Sequence, residues 1–456
     1  MREQYDPSGK HYTLGFADRT RGVEVDPYGG ATAYQYDPDG RTIKVTDALG
    51  RSKTTAYDAL GRPVRSAGPD GIATLVEYDA RHNPVTTTIV PNDGGAPLVT
   101  RKTFEPAFNQ LVSATDARGA TITNTLDPAN GNVLETTLPA VDGVSARTTY
   151  AYNARGQVLS VTAPDGMVTA NTYDPANGTL LGTTEDAGRL ALTSSFAYDA
   201  VGNLTTLGTA QGVANPAIRF GYDALGRLTR TEDGPTQAAI DVYAYDATGN
   251  RTAHTTAAGT AAYSYPTTSH RLSAVAGVPR SYDAVGNTTA IGGTRGFAYN
   301  DANRMSLVQQ AGVTIRQYAY NGRGEQVRRY LGSTNTYTVY DEAGHWLGDY
   351  DDTGAPVQQA LWMDDLPVGL LANGHQLHYV QPDHLGSPRV VIEAARNVPV
   401  WTWDLKGEAF GSTAPQQDPD GDGIPFVLDM RFPGQRYDAA SALNQNYFRD
   451  YDASTG

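Results

Sequence analysis

A short motif recurs along the chain at a nearly fixed interval, and this repeat limits the possible folds more than any other feature. The motif reads YDPDGR at residues 36–41 and YDALGR at residues 57–62, and a degenerate copy begins at Tyr78. Consecutive copies start 21 residues apart. Further copies begin at Tyr222, Tyr245 and Tyr282. So short a period indicates one small structural unit stacked on copies of itself, which argues against a compact enzyme with a single pocket.

The repeat predicts tight turns between short strands. Asp-x-x-Gly is typical of a type I β-turn, because Asp hydrogen-bonds the backbone of the turn and Gly adopts the positive φ that leads out of it. The Asp-Gly pairs at residues 70–71, 165–166 and 233–234 favour a two-residue hairpin turn. Runs rich in Thr, Val, Tyr and Ala, such as residues 72–78, predict strands of about 7 residues. Each repeat is therefore interpreted as one β-hairpin.

The tyrosine of each repeat has two interpretations. At a strand end, its ring would cover the neighbouring turn while its hydroxyl stays in water. Alternatively, a ladder of such rings would bind sugars. The chain contains 28 Tyr and only 10 Phe, a ratio that fits amphipathic rings on a partly wet surface. We favour the first interpretation.

The sequence predicts an all-β fold. No long stretch places apolar residues at helical spacing, and 26 Pro and 49 Gly interrupt every candidate helix. The spacing predicts about 35 to 45 strands, whereas an open twisted sheet rarely exceeds about ten without curling. A long spiralling antiparallel sheet of hairpins and a β-propeller would both accommodate them. Because the repeat interval drifts from 24 residues after Tyr198 to 17 after Tyr282, and propeller blades have matched lengths, we favour the spiral.

Composition excludes several classes of function. The 456 residues carry a formal net charge of −14 without a basic cluster, so nucleic-acid binding is not expected. With no Cys, the chain has no disulfide, thiol nucleophile or Cys-zinc site. No apolar run approaches the roughly 18 residues of a membrane span. Residues 5–9 already read YDPSG, so we expect no signal peptide and a chain that is a piece of a longer protein.

One acidic loop is a candidate calcium site. Asp418, Asp420 and Asp422 occupy alternate positions before a Gly, and Asp429 stands at the twelfth position. Oxygen ligands in this pattern suit Ca²⁺. Asp429 replaces the usual bidentate Glu, Pro425 interrupts the loop, and no flanking helix is predicted. A solvated acidic loop is the alternative.

The most distinctive stretch is DHLGSPR at residues 383–389. Together with WTWD at residues 401–404 and FG at residues 410–411, it resembles the start of the Rhs-repeat-associated core. PGQRYD at residues 433–438 and NYFRDYDASTG at residues 446–456 resemble a later part of the same core. The Tyr-Asp motifs match the YD repeats of that family. The whole chain thus resembles Rhs/YD-repeat proteins, which include bacterial polymorphic toxins, insecticidal toxin-complex C components and teneurins.

The resemblance implies a hollow shell, or β-cocoon. Residues 1–350 would form the YD-repeat wall, and residues 351–456 would begin the core. In bacterial members such a shell encloses a C-terminal toxin domain, which is the expected cargo and is absent here. The resemblance also implies a monomer made in the cytoplasm and secreted or delivered by N-terminal domains or a secretion apparatus, such as type VI secretion in bacterial competition. The rival is a cell-surface carbohydrate-binding or adhesion module.

The family's self-cleavage uses two Asp residues assisted by an Arg. Arg449 matches that Arg, whereas both Asp are expected beyond Gly456, so we expect no enzymatic activity and, calcium aside, no cofactor. Asp383, His384, Gly386 and Arg389 are assigned a structural role in a turn.

Two weaker constellations are set aside. Asp383, His384 and Ser387 contain the residue types of a hydrolase triad, but triads are assembled from separate elements around an oxyanion hole. His375 and His378, with His384 nearby, would share a metal only on a helix, and this region reads as strand and turn.

Overall fold

The computed structural model describes the chain in two compact units. The described residues are 2–5, 11–26, 29–185, 187, 191–209, 216–341, 343–363 and 365–455. The first unit comprises Met1–Ala73 with Asp241–Gly456, and the second comprises Thr74–Ile240. Strands and turns make up the described residues, without an α-helix among them, and hence none that is long and apolar enough to cross a membrane.

The first unit opens with seven short strands. They are β1 (Arg2–Tyr5), β2 (His11–Asp18), β3 (Arg21–Val25), β4 (Ala31–Tyr36), β5 (Thr42–Thr46), β6 (Ser52–Tyr57) and β7 (Pro63–Ala67). The next strand, β8 (Ala73–Tyr78), begins at the limit between the units.

The second unit continues the same pattern. Its strands are β9 (Pro84–Val90), β10 (Leu98–Phe104), β11 (Leu111–Thr115), β12 (Thr121–Leu126), β13 (Val133–Thr137), β14 (Arg147–Tyr152), β15 (Val158–Thr162), β16 (Val168–Tyr173), β17 (Leu180–Glu185), β18 (Leu192–Tyr198), β19 (Leu204–Gly208), β20 (Ile218–Tyr222) and β21 (Leu228–Asp233).

The first unit resumes within β22 and ends in a separate small sheet. The strands are β22 (Ala239–Tyr245), β23 (Arg251–Thr256), β24 (Gly259–Ser264), β25 (Ala274–Val275), β26 (Val278–Tyr282), β27 (Thr288–Ile291), β28 (Arg295–Tyr299), β29 (Met305–Gln310), β30 (Val313–Tyr320), β31 (Gln326–Leu331), β32 (Thr334–Tyr340), β33 (Trp346–Tyr350), β34 (Pro356–Met363), β35 (Leu366–Ala372), β36 (Gln376–Pro382), β37 (Pro388–Glu393) and β38 (Val398–Thr402). The small sheet consists of β39 (Gln435–Asp438), β40 (Leu443–Asn446) and β41 (Arg449–Tyr451).

Strands pair antiparallel with their neighbours in sequence. In the first unit Lys44 of β5 lies opposite Thr54 of β6, and in the second unit Glu135 of β13 lies opposite Thr149 of β14. Such consecutive pairing produces a long sheet of hairpins rather than four-stranded blades. The predicted all-β fold is therefore confirmed. Pairing continues past residue 350 as far as β38, and the predicted domain limit at that residue stays a prediction.

The Asp of each repeat closes its turn with both carboxylate oxygens. In the copy at residues 57–62, Asp58 Oδ1 accepts the backbone N–H groups of Leu60 and Arg62 at 2.9 Å each. Asp58 Oδ2 accepts the Nε–H of Arg62 at 2.6 Å. Gly61 has a φ of 79°, which only Gly adopts without strain. The residue after Gly also takes part in the turn: in the copy that begins at Tyr198, Asn203 makes the equivalent side-chain bond to Asp199.

The Asp-Gly pair at residues 70–71 does not form a two-residue turn. The N–H of Gly71 donates to Gly68 O, and the N–H of Gly68 donates to Ile72 O, the same bonds that close an Asp-x-x-Gly turn. Only Gly71 has a positive φ, whereas Asp70 does not. A type I′ turn requires positive φ at both central residues. Asp-Gly therefore occupies the third and fourth positions of the same turn type, contrary to the sequence prediction.

The repeat tyrosines also differ from the prediction. Tyr57 donates its hydroxyl hydrogen to Thr42 O at 3.0 Å, and Tyr222 donates to Leu204 O at 2.9 Å. The same bond to an earlier backbone carbonyl recurs at Tyr152, Tyr173, Tyr282, Tyr299, Tyr320 and Tyr340. These hydroxyls are thus used within the protein, because a free carbonyl near each strand start offers a better-placed acceptor than water.

Apolar burial is concentrated in the first unit. One cluster is built around Trp346, Leu370, Val391 and Trp401, and a second one around Val308. In the described part of Thr74–Ile240, by contrast, the buried apolar residues are Ala163, Phe196, Leu207 and Ile218. Most side chains on these strands are half-buried or exposed, and the contacts between strands within this unit join neighbours in sequence.

Candidate functional site: the sheet face beneath the C-terminal segment

The last part of the chain lies across one face of the first unit's sheet. We call residues 404–455 the C-terminal segment and the face of β22 to β38 that it contacts the covered face. Phe426 packs against His378 of β36 with ring centroids 4.7 Å apart. Leu443 joins the apolar cluster of Phe297 and Val308. Near its end, Ser454 O accepts the hydroxyl hydrogen of Tyr263 at 2.8 Å. The segment therefore follows this face strand by strand.

A buried charge network fastens the segment to β31 and β33. Arg436 Nη1 and Nη2 lie 3.1 and 2.5 Å from the two carboxylate oxygens of Asp349. Arg329 donates to Asp349 at 2.6 Å and to Asp429 at 3.1 Å. Thr338 donates its hydroxyl hydrogen to Asp349 at 2.7 Å. The two carboxylates and two guanidinium groups balance in charge, as a buried network must.

The network shifts the protonation equilibria of its members. Burial alone would raise the pKa of Asp349, but the charges of Arg436 and Arg329 and the donated hydrogen bonds lower that pKa to about 2. Burial works against the charged form of Arg329, yet the carboxylates of Asp349 and Asp429 raise its pKa above the ordinary value. Asp349 and Arg329 therefore stay ionised at neutral pH.

The small sheet carries two acidic residues, Asp438 and Asp450, and Asp438 contacts β30. Asp438 accepts the hydroxyl hydrogen of Tyr318 at 3.0 Å. Burial, followed by the charge of Asp438, raises the pKa of Asp450 to about 7, and Arg304 opposes this rise. Burial and Asp438 also raise the pKa of Tyr318. The small sheet thus presents two neighbouring carboxyl groups, of which Asp450 takes up a proton near neutral pH.

The predicted turn at residues 383–389 is built as an Asp-x-x-Gly turn. Asp383 Oδ1 accepts the backbone N–H groups of Leu385 and Ser387 at 3.0 Å each, and Gly386 has a φ of 87°. Arg389 donates to Asp383 Oδ2 at 2.8 Å and lies 4.8 Å from the centre of the Trp403 ring. Burial lowers the pKa of the neighbouring His384. The turn thereby joins β36 and β37 to the start of the C-terminal segment.

Three of the four predicted calcium ligands lie together. The carboxylates of Asp418, Asp420 and Asp422 form a cluster with ligand atoms within 4.8 Å of one another. Arg396 Nη1 lies 2.8 Å from Asp420 and 3.2 Å from Asp422. Asp429 instead contacts Arg329 in the charge network. Calcium binding at this loop stays a prediction, and a calcium ion would compete there with Arg396.

The remaining predicted residues do not converge. Arg449 begins β41 and is exposed. His375 is exposed in a turn, with a φ of 70°. His378 is buried under Phe426, and its Nδ1 lies 3.0 Å from Gln376 O. Among the described residues, neither histidine belongs to a cluster of metal-ligating side chains.

Sequence reasoning missed the residues that fasten the segment. Asp349 and Arg329 lie in ordinary repeats, and Arg436 stands out only as a member of the PGQRYD motif. No local pattern marks them, because their partners lie 87 and 100 residues away in the chain. A buried charge in a strand of otherwise uncharged neighbours is a weak signal on its own. The arrangement holds a segment in place rather than activating a nucleophile.

These features define an all-β protein. The hairpins of its long sheet are closed by turns of the YD and RHS repeat type, and a C-terminal segment lies on one face of that sheet. A family model described as the teneurin YD-shell matches residues 185–456, and one described as the RHS repeat matches residues 57–94. The first match covers more than half of the residues. The chain therefore belongs to the teneurin YD-shell family.

Solved structures with a similar fold come from Tc toxins. A Tc holotoxin pore from Photorhabdus luminescens has a TM-score of 0.57 at 15% identity. The match covers 100% of this chain and 28% of the Tc toxin chain. A TcdB2–TccC3 complex has a TM-score of 0.56 at 15% identity, with 100% and 29% covered. The same complex without its hypervariable C-terminal region has a TM-score of 0.58 at 15% identity, with 100% and 28% covered. The chain thus spans less than a third of these structures. A comparison with curated proteins finds no match.

Proposed function

We propose that this chain is a segment of the shell of an Rhs-type toxin or effector, and that the shell encloses a C-terminal toxin domain as its cargo. The observation that carries this proposal is the sparse apolar burial within the sheet of Thr74–Ile240. A sheet in an ordinary domain buries one face against another layer. In the described part of this unit, few side chains are buried, and most are half-buried or exposed. A wall around a cavity has this property.

The C-terminal segment supports the same proposal. Its charge network and its two apolar clusters hold it on the covered face of the first unit. Ser454, close to the end of the described chain, lies on that face against Tyr263 and Arg251. Cargo joined to the segment would therefore leave from the covered face.

The limited coverage bears on the partners. Because the chain spans 28% of the Tc chain in the holotoxin pore, we propose that further shell segments complete the enclosure. N-terminal delivery domains or a secretion apparatus would carry it out of the bacterial cell. The Tc neighbours favour delivery by a toxin complex over type VI secretion and bacterial competition.

The repeat tyrosines disfavour the rival carbohydrate-binding module. The hydroxyls of Tyr57 and Tyr222 donate to backbone carbonyls, so they are not free to bind sugar. Specific micromolar binding of the purified chain on a glycan array would favour the rival. We expect no such binding.

The chain is proposed to have no catalytic activity of its own. Family-type self-cleavage needs two carboxylates that share a proton, with Arg449 as an assisting residue. We expect the purified chain to stay intact over days of incubation. A defined fragment that appears in the wild type and not in Arg449→Ala would contradict this.

A fused reporter domain tests enclosure. One variant carries the reporter after Gly456, and a matched control carries the same reporter before Met1. If the shell encloses a domain joined to the end of the C-terminal segment, a non-specific protease should digest the C-terminal reporter at least about ten times more slowly. Equal digestion rates would contradict enclosure by this chain. Electron cryomicroscopy supplies a second measurement, because a solid particle without a cavity beside Thr74–Ile240 would also contradict the proposal.

A further inference from the structure

We propose that Asp241, His254 and Glu408 bind one divalent transition-metal ion of the Zn²⁺ class. Asp241 lies on β22, His254 on β23, and Glu408 in the C-terminal segment. Their ligand atoms all lie within 4.8 Å of one another. Such an ion would join the C-terminal segment to β22 and β23, whereas the Asp349 network joins it to β31 and β33. This inference is independent of the proposed shell function.

Two of the three ligands already contact each other in a protected place. Asp241 is buried, with 2% of its surface exposed, and its Oδ1 lies 2.7 Å from His254 Nε2. His254 stacks on the ring of Tyr243 with centroids 4.9 Å apart. A metal ion needs the unprotonated His254 Nε2, so it would take the place of the proton that now bridges the Asp241–His254 pair. No rearrangement of the strands is required for this exchange.

The third ligand is held in a fixed orientation. Glu408 Oε2 accepts the backbone N–H groups of Phe410 and Ser412 and the hydroxyl hydrogen of Ser412, at 3.0 to 3.1 Å. Glu408 Oε1 accepts the hydroxyl hydrogen of Tyr243 at 2.7 Å. Partners that orient a ligating carboxylate are typical of metal sites. All of these donors are neutral, so the negative charge of Glu408 is available to a cation.

The donor set selects the class of metal. One imidazole nitrogen with two carboxylate oxygens suits Zn²⁺, Co²⁺ or Mn²⁺, whereas Ca²⁺ and Mg²⁺ prefer oxygen ligands alone. Bonds of about 2.0 to 2.2 Å would place the ligand atoms about 3.3 Å apart in a tetrahedron. The Asp241–His254 separation of 2.7 Å would widen to that value, and Glu408 would approach from within 4.8 Å.

Arg251 lies beside the cluster. Its guanidinium carbon lies 4.8 Å from the centre of the Phe410 ring and 5.5 Å from that of Tyr243. Arg251 donates hydrogen bonds to the Tyr263 hydroxyl and to Ser454 O. In the acidic loop, Arg396 contacts Asp420 and Asp422 directly.

Zinc titration of the full chain tests the site. The protein is freed of metal with a chelator and titrated with ZnCl₂ in a calorimeter. We expect one ion per chain in the wild type and affinity at least about tenfold weaker in His254→Gln and Glu408→Gln. Glu408→Gln keeps an oxygen for the Tyr243 hydroxyl, so its fold should persist, which circular dichroism checks. His375→Gln is the matched control, because this exposed histidine lies outside the cluster, and it should bind zinc as the wild type does.

Cobalt provides a second readout that a purely structural role would not give. Co²⁺ at a four-coordinate site with one nitrogen ligand should produce visible absorption bands that zinc abolishes. Unchanged zinc affinity in both His254→Gln and Glu408→Gln would overturn the proposal. So would the loss of the zinc site in Asp420→Asn with retention in His254→Gln, because that result places the ion in the acidic loop. Absence of binding at millimolar zinc would overturn it as well.

Discussion

Arg436 and Asp349 form a two-point ion pair beneath the C-terminal segment, although 87 residues separate them in the chain. Both side chains are less than a tenth exposed. The guanidinium carbon of Arg436 also lies 4.4 Å from the centre of the Trp346 ring. Removing Arg436 would leave the buried Asp349 with Arg329 as its remaining cationic partner. The pair therefore matters chiefly through the penalty of breaking it.

Arg436→Ala should lower the free energy of unfolding of the first unit by about 1.5 to 3 kcal/mol, because Asp349 loses its bidentate partner in a buried place and keeps Arg329. Denaturant unfolding followed by tryptophan fluorescence measures this, since all four Trp lie between residues 346 and 403. Arg21→Ala is the control. Its pair with Asp18 is exposed, so a loss of less than about 1 kcal/mol is expected. Equal losses in both variants would contradict the fastening role.

Asp450 should make stability depend on pH. Burial and the charge of Asp438 raise the pKa of Asp450 to about 7, from about 3.9 in an unfolded chain. Between these values the folded state binds more protons, so this group's stabilising contribution is complete below about pH 4 and is lost as the pH rises through 7. Asp450→Asn should therefore be more stable than the wild type at pH 8, with a smaller difference at pH 5.

Urea midpoints at the two pH values measure the effect of Asp450→Asn. Asp352→Asn serves as the control, because Asp352 is an exposed turn residue. It should change neither midpoint. A stability difference between Asp450→Asn and wild type that is the same at both pH values would refute the assignment.

Asp58→Ala should loosen one repeat turn. It removes the acceptor of two backbone N–H groups and the partner of Arg62, so the turn should open more often. Asp58→Asn keeps the Oδ1 acceptor and should have the smaller effect. Hydrogen exchange at the amides of Leu60 and Arg62 measures the local opening. Faster exchange in Asn than in Ala would be inconsistent with this account.

Tyr222→Phe should weaken the tie between neighbouring hairpins. The substitution removes the bond to Leu204 O and keeps the ring, so a local loss of about 1 kcal/mol is expected. Proteolytic susceptibility of the second unit measures it. Tyr379→Phe is the control. The Tyr379 ring is half exposed, and its hydroxyl makes no such bond among the described residues, so no change is expected. Identical proteolysis of all three proteins would show that the bond is dispensable.

The wall of hairpins was predictable because its determinants are local. Asp58, Gly61 and Arg62 lie within five residues and close one turn, and the pattern recurs often enough to be recognised. The Asp-Gly pair at residues 70–71 was misinterpreted because Asp-Gly suits two turn types. Only the φ of residues such as Asp70 distinguishes them, and sequence does not reveal it.

The course of the C-terminal segment was not predictable in the same way. Asp349, Arg329 and Arg436 are brought together by tertiary packing, and no spacing rule connects them. Asp241, His254 and Glu408 were likewise missed, because the last lies 154 residues beyond His254 and in a different element. Periodicity predicts which residues share a strand face, whereas it carries no information on the segment that covers that face.

Pairing between sequence neighbours alone also bears on how such a protein changes during evolution. Among the described residues, strand pairing joins hairpins that follow one another in the chain, and the turns repeat the same chemistry. Bonds between distant turns in this part of the chain, such as that from Arg51 to Asn300 O, are few. Duplicating or deleting about one period of the gene would therefore lengthen or shorten the wall while every other strand keeps its register. If the sheet encloses cargo as proposed, its capacity would then depend on the number of repeats rather than on redesign of each one.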